Sequence, residues 1–368
     1  MISTGLQTFK KYKVSVKKLL ILVDNKSDFQ ISKPDFKNFR SMDVDRIRNY
    51  FITKGFIVQV KKFYELDLAE DFKGIYILYQ TSEAPGSFYK RYIEDLIFHL
   101  EKVGAVVLPC YEYLKAHHNK IYMELLRSRF KDNTLKTVKS RCFGSWEDAM
   151  NFQPGFPVVI KQASSSGGAG VFLARNGNDY RKYIKRAGRI ITSRNAKDLL
   201  ISYLKIITKK FIKFLNPSKS GFVEYDTTPI SNPLIVQEFI DGLNGDFKVL
   251  VFDSKFYTMF RKNRDNDFRA SGSGRFYEVL QEEQEGLLDF ARRITFEIDF
   301  PIIGMDIGFD GKRYHLLEYQ MIHYGTSALQ RSKFWYEHHE GKWIRFDGES
   351  NLEEEFSRSI YNFLKSTG

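Results

Sequence analysis

Val158–Val171 reads V-V-I-K-Q-A-S-S-S-G-G-A-G-V, and the rest of the chain is interpreted outward from it. Three β-branched residues followed by Lys161 make a buried strand that ends on a positive charge. Ser164, Ser165, Ser166, Gly167, Gly168 and Gly170 then form a loop, and Val171–Ala174 (VFLA) starts a returning strand. Glycines let the backbone fold back and bring its N–H groups against phosphate oxygens, while the hydroxyls add donors and the lysine a fixed charge. The pattern is not a P-loop, because no Gly-Lys-Ser/Thr opens a helix. Taken alone, a Ser/Gly loop between strands also fits a plain hairpin, so its flanks decide.

Downstream, Gly304-Met305-Asp306 and Leu317-Glu318-Tyr319-Gln320 fall on two successive expected strands, Ile303–Phe309 and Arg313–Tyr319. At period two, Glu318 and Gln320 share a side, and Asp306 on the neighbouring strand can face them. That makes a set of hard oxygen ligands suited to Mg²⁺. Between the loop and these acids, Phe260–Phe276 carries Arg261, Arg264, Arg269 and Arg275, whose planar forks suit phosphate or carboxylate. A solvated basic loop is the plainer alternative. The spacing predicts a larger antiparallel sheet over 233–320, built from Leu234–Glu238, Phe247–Phe252, Lys255–Arg261 and the two acid-bearing strands. Helix Glu282–Ile298 lies within it, and 349–365 form a terminal helix that opens on acids, as the helix dipole prefers.

Upstream, Lys18–Val23, Phe56–Val60, Ile75–Tyr79 and Ala105–Pro109 read as buried strands. They alternate with helices at Val44–Thr53 and Phe88–Lys102, which argues for a parallel α/β layer. No G-x-G-x-x-G follows any of these strands, so the layer reads as scaffold rather than a dinucleotide site. A helix at Asn119–Arg129 leads on to the strand Pro157–Lys161.

At 368 residues the chain exceeds what one hydrophobic core serves, and 43% apolar residues rule out wholesale disorder. Leu19–Val23 is too short for a membrane span or a secretory signal core. Cys110 and Cys142 cannot build a disulfide framework and lack metal-ligand spacing, so a reducing cytoplasm is the expected compartment. Neither cysteine has the setting of a nucleophile. Adjacent histidines at His117-His118 and His338-His339 should point apart and lie at the surface. His323 stands out as a candidate acid–base or substrate contact. Trp335, Tyr336 and Trp343 read as packing beneath the terminal helix.

The ordered set of Lys161 with its glycine loop, Val236-Gln237-Glu238-Phe239-Ile240, Asp246 with Lys248, Asp267-Phe268-Arg269-Ala270-Ser271, Asp306 and Glu318-Tyr319-Gln320 resembles the ATP-grasp superfamily. It is most similar to carboxylate–amine ligases of the glutathione synthetase and ribosomal-protein glutamate ligase type. The resemblance covers roughly 115–325. It implies an α/β and α+β architecture in which residues 1–112 form a parallel pre-ATP-grasp domain. A two-subdomain grasp would follow at 113–235 and 236–368.

The resemblance implies that Lys120 and Lys161 hold nucleotide phosphates and that the Ser164–Gly170 loop closes over them. Glu238 and Phe239 would form the hinge that reads adenine, with Gln237 and Ile240 also among the nucleotide-binding residues and Asp246 near the ribose. Arg269 would meet the transferred phosphate, with Arg261 and Lys161 beside it in catalysis and Ser271 close to the nucleotide. Asp306, Glu318 and Gln320 would bind Mg²⁺. Gln320 stands where Asn is common, and Met321–Thr326 replaces the family's small-residue and proline run, so the substrate cannot be borrowed.

The expected activity is ATP- and Mg²⁺-dependent joining of a carboxylate to an amine through an acyl-phosphate. A kinase on the same fold and a nucleotide-binding module without ligase chemistry are the alternatives. The substrates are expected to be small or polymer-linked, and the four arginines favour an anionic one. No specific nucleic acid is expected, because no RNA-binding motif accompanies the charge. The oligomeric state stays open, a homodimer included.

The net charge of +12 sits mostly in one segment: Arg181–Lys219 holds eight lysines and four arginines against one acid, Asp198. This marks a basic insertion near 187–220. Within Ala196–Leu215, Leu200, Tyr203, Leu204, Ile207, Phe211, Phe214 and Leu215 gather on one helical face opposite Lys205, Lys209 and Lys213. Peripheral contact with an anionic membrane would use that face; packing on the protein's own core is the simpler use.

Overall fold

The computed structural model describes residues 17–29, 41–80, 87–165, 168, 170–188, 232–271 and 273–367. Ser166, Gly167 and the amphipathic segment Ala196–Leu215 lie outside the described residues.

Strands β1 (Lys18–Val23), β2 (Ile57–Lys62), β3 (Tyr76–Tyr79) and β4 (Val106–Leu108) form a four-stranded parallel sheet in the order β2-β1-β3-β4. Alternate residues of β1 serve two cores. Leu19, Ile21 and Val23 pack with helix Val44–Thr53 and the large sheet's core, and Leu20 and Leu22 pack with helix Ser87–Lys102. Burial on both faces is why these strands read as continuous apolar runs.

A second sheet joins β5 (Ser140–Phe143), β6 (Val158–Gln162), β7 (Val171–Ala174) and β8 (Leu234–Glu238) in the order β5-β8-β6-β7. Helices Trp146–Met150 and Gly177–Gly188 cover it. The strand Leu234–Glu238 was expected in the larger sheet and belongs here instead. It lies antiparallel to β6, with Ile160 opposite Val236, because Leu234 and Val236 bury against the core beneath helix Gly177–Gly188.

The third sheet has seven strands. Its main path is β13 (Tyr314–Gln320), β12 (Ile302–Phe309), β9 (Gly245–Phe252), β10 (Lys255–Lys262), β14 (Phe334–His339) and β15 (Lys342–Asp347), with β11 (Phe276–Tyr277) beside β10. Asp306 pairs with Glu318 and Ile307 with Leu316, so Leu317 is an extra residue that bulges β13. The hairpin β14–β15 carries Trp335, Tyr336 and Trp343. Lys255 Nζ sits 4.2 Å from the Trp335 ring centre and 2.6 Å from Glu355 on the terminal helix, linking hairpin and helix.

That helix, Leu352–Thr367, begins after Asn351, whose side chain accepts from the Glu354 N–H. Its acids do more than face a dipole: Glu353 accepts from the Asp43 N–H, and Glu355 pairs with Lys255 and Arg358. The helix packs on the N-terminal layer, with Phe356 edge-on to Phe29. Among the described residues no helix is long and apolar enough to cross a membrane.

Candidate active site

One cavity of about 290 Å³ opens between the second and third sheets. Each side supplies a different chemistry. Helix Lys120–Ser128 brings Lys120 to its mouth: Asn119 caps the helix through the Tyr122 N–H, and the Lys120 N–H donates to Ala163 at the start of the glycine loop. The Lys120 ammonium donates to the Ser165 carbonyl at 2.6 Å and lies 3.2 Å from Glu318 Oε1. Asn119→Ala removes a cap worth about 1 kcal/mol. Denaturant titration is expected to show that loss.

Lys161, at the end of β6, lines the same cavity. Burial pushes its ammonium below the ordinary lysine range, against the opposing pull of Glu318 and Glu124. In the loop, Ser165 and Gly168 reach the cavity, while Ser164 is exposed. Gly168 has φ +75°, and at Gly170 a Cβ would stand 2.4 Å from Gln162 Oε1, so the loop requires glycine at both.

The third sheet presents a registered row. Glu318 stands opposite Asp306 across β13 and β12, and Asp306 opposite Lys248 across β12 and β9. Lys248 Nζ is 2.9 Å from Asp306 Oδ1, and Gln320 donates its amide to Glu318. Arg261 grips both oxygens of Asp246 at 2.8 and 2.6 Å and reaches Asp306 Oδ2 at 2.8 Å. Burial, and then the nearby Asp306 charge, push Asp246 up to about 6. Burial would raise Asp306 too, but Lys248 and Arg261 outweigh it and hold its carboxyl well below the usual range.

These contacts alter two sequence expectations. Arg261 was grouped with catalytic residues; here its fork is occupied by two carboxylates, those of Asp246 and Asp306. The four arginines were taken to favour an anionic substrate, yet three of them hold acids of the chain itself. Arg261 holds Asp246 and Asp306, Arg269 holds Asp267 at 2.6 Å, and Arg275 holds Asp265. Arg269 also donates to the Gly168 carbonyl at 2.8 Å, tying the third sheet's loop to the glycine loop.

Gln237, Glu238, Phe239, Ile240, Asp246 and Ser271 all line the cavity. Sequence reasoning missed its apolar walls, Leu243, Phe268 and Leu317, because an apolar wall carries the same signature as core. It also left Lys248 out of the site, although Lys248 stands two residues from Asp246 on the same face of a strand. The cysteines stay outside: burial pushes the Cys110 and Cys142 thiols up to about 11, away from the thiolate that a nucleophile requires.

His117 and His118 correct the sequence reading. Their ring centres are 4.0 Å apart, and His117 is only 2% exposed. The helix Tyr111–Ala116 ends just before them and His118 takes φ +56°, so neither helix nor strand geometry separates the pair. His338 and His339 do lie apart on β14, against Trp343 and Phe346 respectively.

No protein-family model matches the sequence, and no curated protein matches it. Among solved structures the chain is similar to D-cycloserine synthetase DcsG, at 11% identity and a TM-score of 0.50, covering 94% of this chain and 99% of that one. It is similar as well to a RiPP-associated ATP-grasp ligase of Chryseobacterium gregarium (12% identity, 96% and 98% coverage, TM-score 0.47). A third is D-alanyl-alanine synthetase A of Vibrio cholerae (11% identity, 96% and 99% coverage, TM-score 0.48). With two antiparallel sheets enclosing the cavity behind a parallel N-terminal layer, the chain has the ATP-grasp fold.

Proposed function

We propose that the protein is an ATP- and Mg²⁺-dependent ligase that activates a substrate carboxylate as an acyl-phosphate and joins it to an amine. The observation that carries this reading is the convergence in one cavity of Lys120 and Lys161 with Asp306, Glu318 and Gln320. A polyphosphate suits that arrangement, since it can take the lysines while a cation takes the carboxylates. A second feature suits the base: Gln237 is 3% exposed, lines the cavity, and its amide nitrogen has no hydrogen-bond partner among the described residues. A buried donor of this kind is costly unless a ligand accepts from it.

The donor set fits Mg²⁺: two carboxylates and an amide carbonyl are hard oxygens, and Mg²⁺ commonly completes its shell with substrate phosphates and water. The ion would offset negative charge on the nucleotide's phosphates.

The chain's own residues would do the rest. Lys120 and Lys161 hold phosphate oxygens, and Arg269 shifts from the Gly168 carbonyl toward the transferring phosphoryl group. A carboxylate oxygen of the first substrate bonds to the γ-phosphorus as the bond to ADP breaks. The amine then attacks the acyl carbon, phosphate leaves, and the amine proton passes to solvent or base. Closure of the glycine loop keeps water from the acyl-phosphate.

ADP release that needs both a carboxylate and an amine, with an amide among the products, is the expected result. ADP release alongside a phosphorylated alcohol would instead identify a kinase. Asp306→Asn and Glu318→Gln should each raise the Mg²⁺ concentration for half-maximal rate by about tenfold or more, whereas Gln320→Asn keeps the carbonyl and should be tolerated. Loss of activity in Gln320→Asn with a silent Glu318→Gln would overturn the metal assignment.

A further inference from the structure

The seven-stranded sheet ends on an open edge. β15 closes its path, and among the described residues no strand pairs with the side of β15 that faces away from β14. The hairpin is fixed by its turn: Glu340 (φ +48°) and Gly341 (φ +85°) form a two-residue connection whose twist suits antiparallel strands, with His339 opposite Lys342. The Gly348 N–H donates to the Lys333 carbonyl at 2.7 Å, one step beyond the pair Phe334–Asp347. By alternation, Phe346, Ile344 and Lys342 also turn their backbone groups toward β14, and Asp347, Arg345 and Trp343 turn theirs outward.

Such an edge invites pairing with another chain, and proline, bulges or bare charge are the usual defences. The sequence of β15, K-W-I-R-F-D, lacks proline, and its register with β14 runs without a shift. Arg345 is paired with Asp347 at 2.9 Å, so its charge is answered within the strand, and Lys342 lies beside the turn. One face of the edge is apolar. Ile344 and Phe346 stand 43% and 36% exposed on the side where Phe346 stacks on Trp335. Trp343, Arg345 and Asp347 alternate onto the other face.

We propose that β15 pairs antiparallel with β15 of a second copy of this chain, about a twofold axis at Ile344, joining two seven-stranded sheets into one. An axis perpendicular to the sheet keeps each face on its own side, so the axis must fall on a residue rather than between two. Ile344 and Arg345 are the positions that leave the longest overlap. At Arg345 the axis would set two guanidiniums against each other. At Ile344 it sets Ile344 against itself, Trp343 against the other copy's Arg345, and Lys342 against the other copy's Phe346. Each face then has a cation beside an aromatic ring, with an apolar pair at the centre and no like charges opposed. The outward N–H and C=O groups of Trp343 and Arg345 meet their counterparts in that register, and Ile344 forms the closer, non-hydrogen-bonded pair. The pairing is independent of the ligase reading, since no residue of β14 or β15 lines the cavity.

The test is sedimentation velocity of the full chain over a concentration series. The chain is expected to form a concentration-dependent dimer. Ile344→Lys puts like charges on the axis and should raise the dimer's dissociation constant by about tenfold or more. Arg345→Pro removes an outward N–H that the chain's own hairpin does not use, and proline is tolerated on an edge strand, so it should weaken the dimer while the circular dichroism of the fold is kept. Register is read by oxidative cross-linking in a Cys142→Ser background. Ile344→Cys should yield a disulfide-linked dimer, and Lys342→Cys should not, because that position faces Phe346 of the other copy. A chain that stays monomeric throughout, a dimer that Ile344→Lys leaves intact, or cross-linking at position 342 in place of 344 would each overturn the proposal.

Discussion

Replacing Lys161 by alanine should lower ATP-dependent turnover by two to three decades, with a smaller effect on nucleotide binding. The lysine ends a strand whose residues Val158, Val159 and Ile160 are buried, so its position is set by the small sheet's core rather than by a mobile loop. Its surroundings already disfavour the ammonium, and a bound phosphate would restore what burial takes away. A fixed charge in a water-poor cavity is worth about 2–4 kcal/mol to a transition state whose charge spreads over phosphoryl oxygens. Single-turnover measurements separate this from weaker binding. Near-normal turnover in the variant would mean that the transferred group does not pass the end of β6.

The second large effect concerns stability. Arg261 is 8% exposed and bridges Asp246, itself 7% exposed, to Asp306. Arg261→Leu leaves two carboxylates in a buried site without their shared cation. Removing one partner of such a set costs about 3–5 kcal/mol, mostly through the charge left behind. The denaturant midpoint should fall accordingly. Adding Asp246→Asn to the same chain should recover a good part of the loss, because the stranded charge goes with it. If the double variant is no more stable than the single one, the bridge contributes geometry rather than charge balance.

Much of this could be read from residues alone, and the limits have physical causes. Strands Lys18–Val23, Val171–Ala174 and Leu234–Glu238 have the expected bounds, since short apolar runs between turn residues leave little freedom. Membership in a sheet is a different matter. Leu234–Glu238 looks the same whichever neighbour it pairs with, and only the core beneath helix Gly177–Gly188 directs it to β6. The hairpin β14–β15 escaped notice because its residues are largely half-exposed or exposed and lack a clean alternation.

Within the site, charged and glycine positions were legible because those residue types are costly in an interior without a task. Leu243 and Leu317 were not, for the opposite reason. The His117–His118 pair failed under a rule that holds for regular elements and lapses where the chain turns left-handed.

The extra residue at Leu317 bears on how this site can change over generations. One backbone irregularity brings both Leu317 and Glu318 to the cavity, so an apolar wall and a carboxylate are inherited as a unit. A deletion that straightened the strand would displace the wall and shift every side chain beyond it to the opposite face. Point substitutions can tune either position separately, but length changes in β13 cannot. Diversification of such a chain is therefore channelled into its loops, while the spacing of this strand persists.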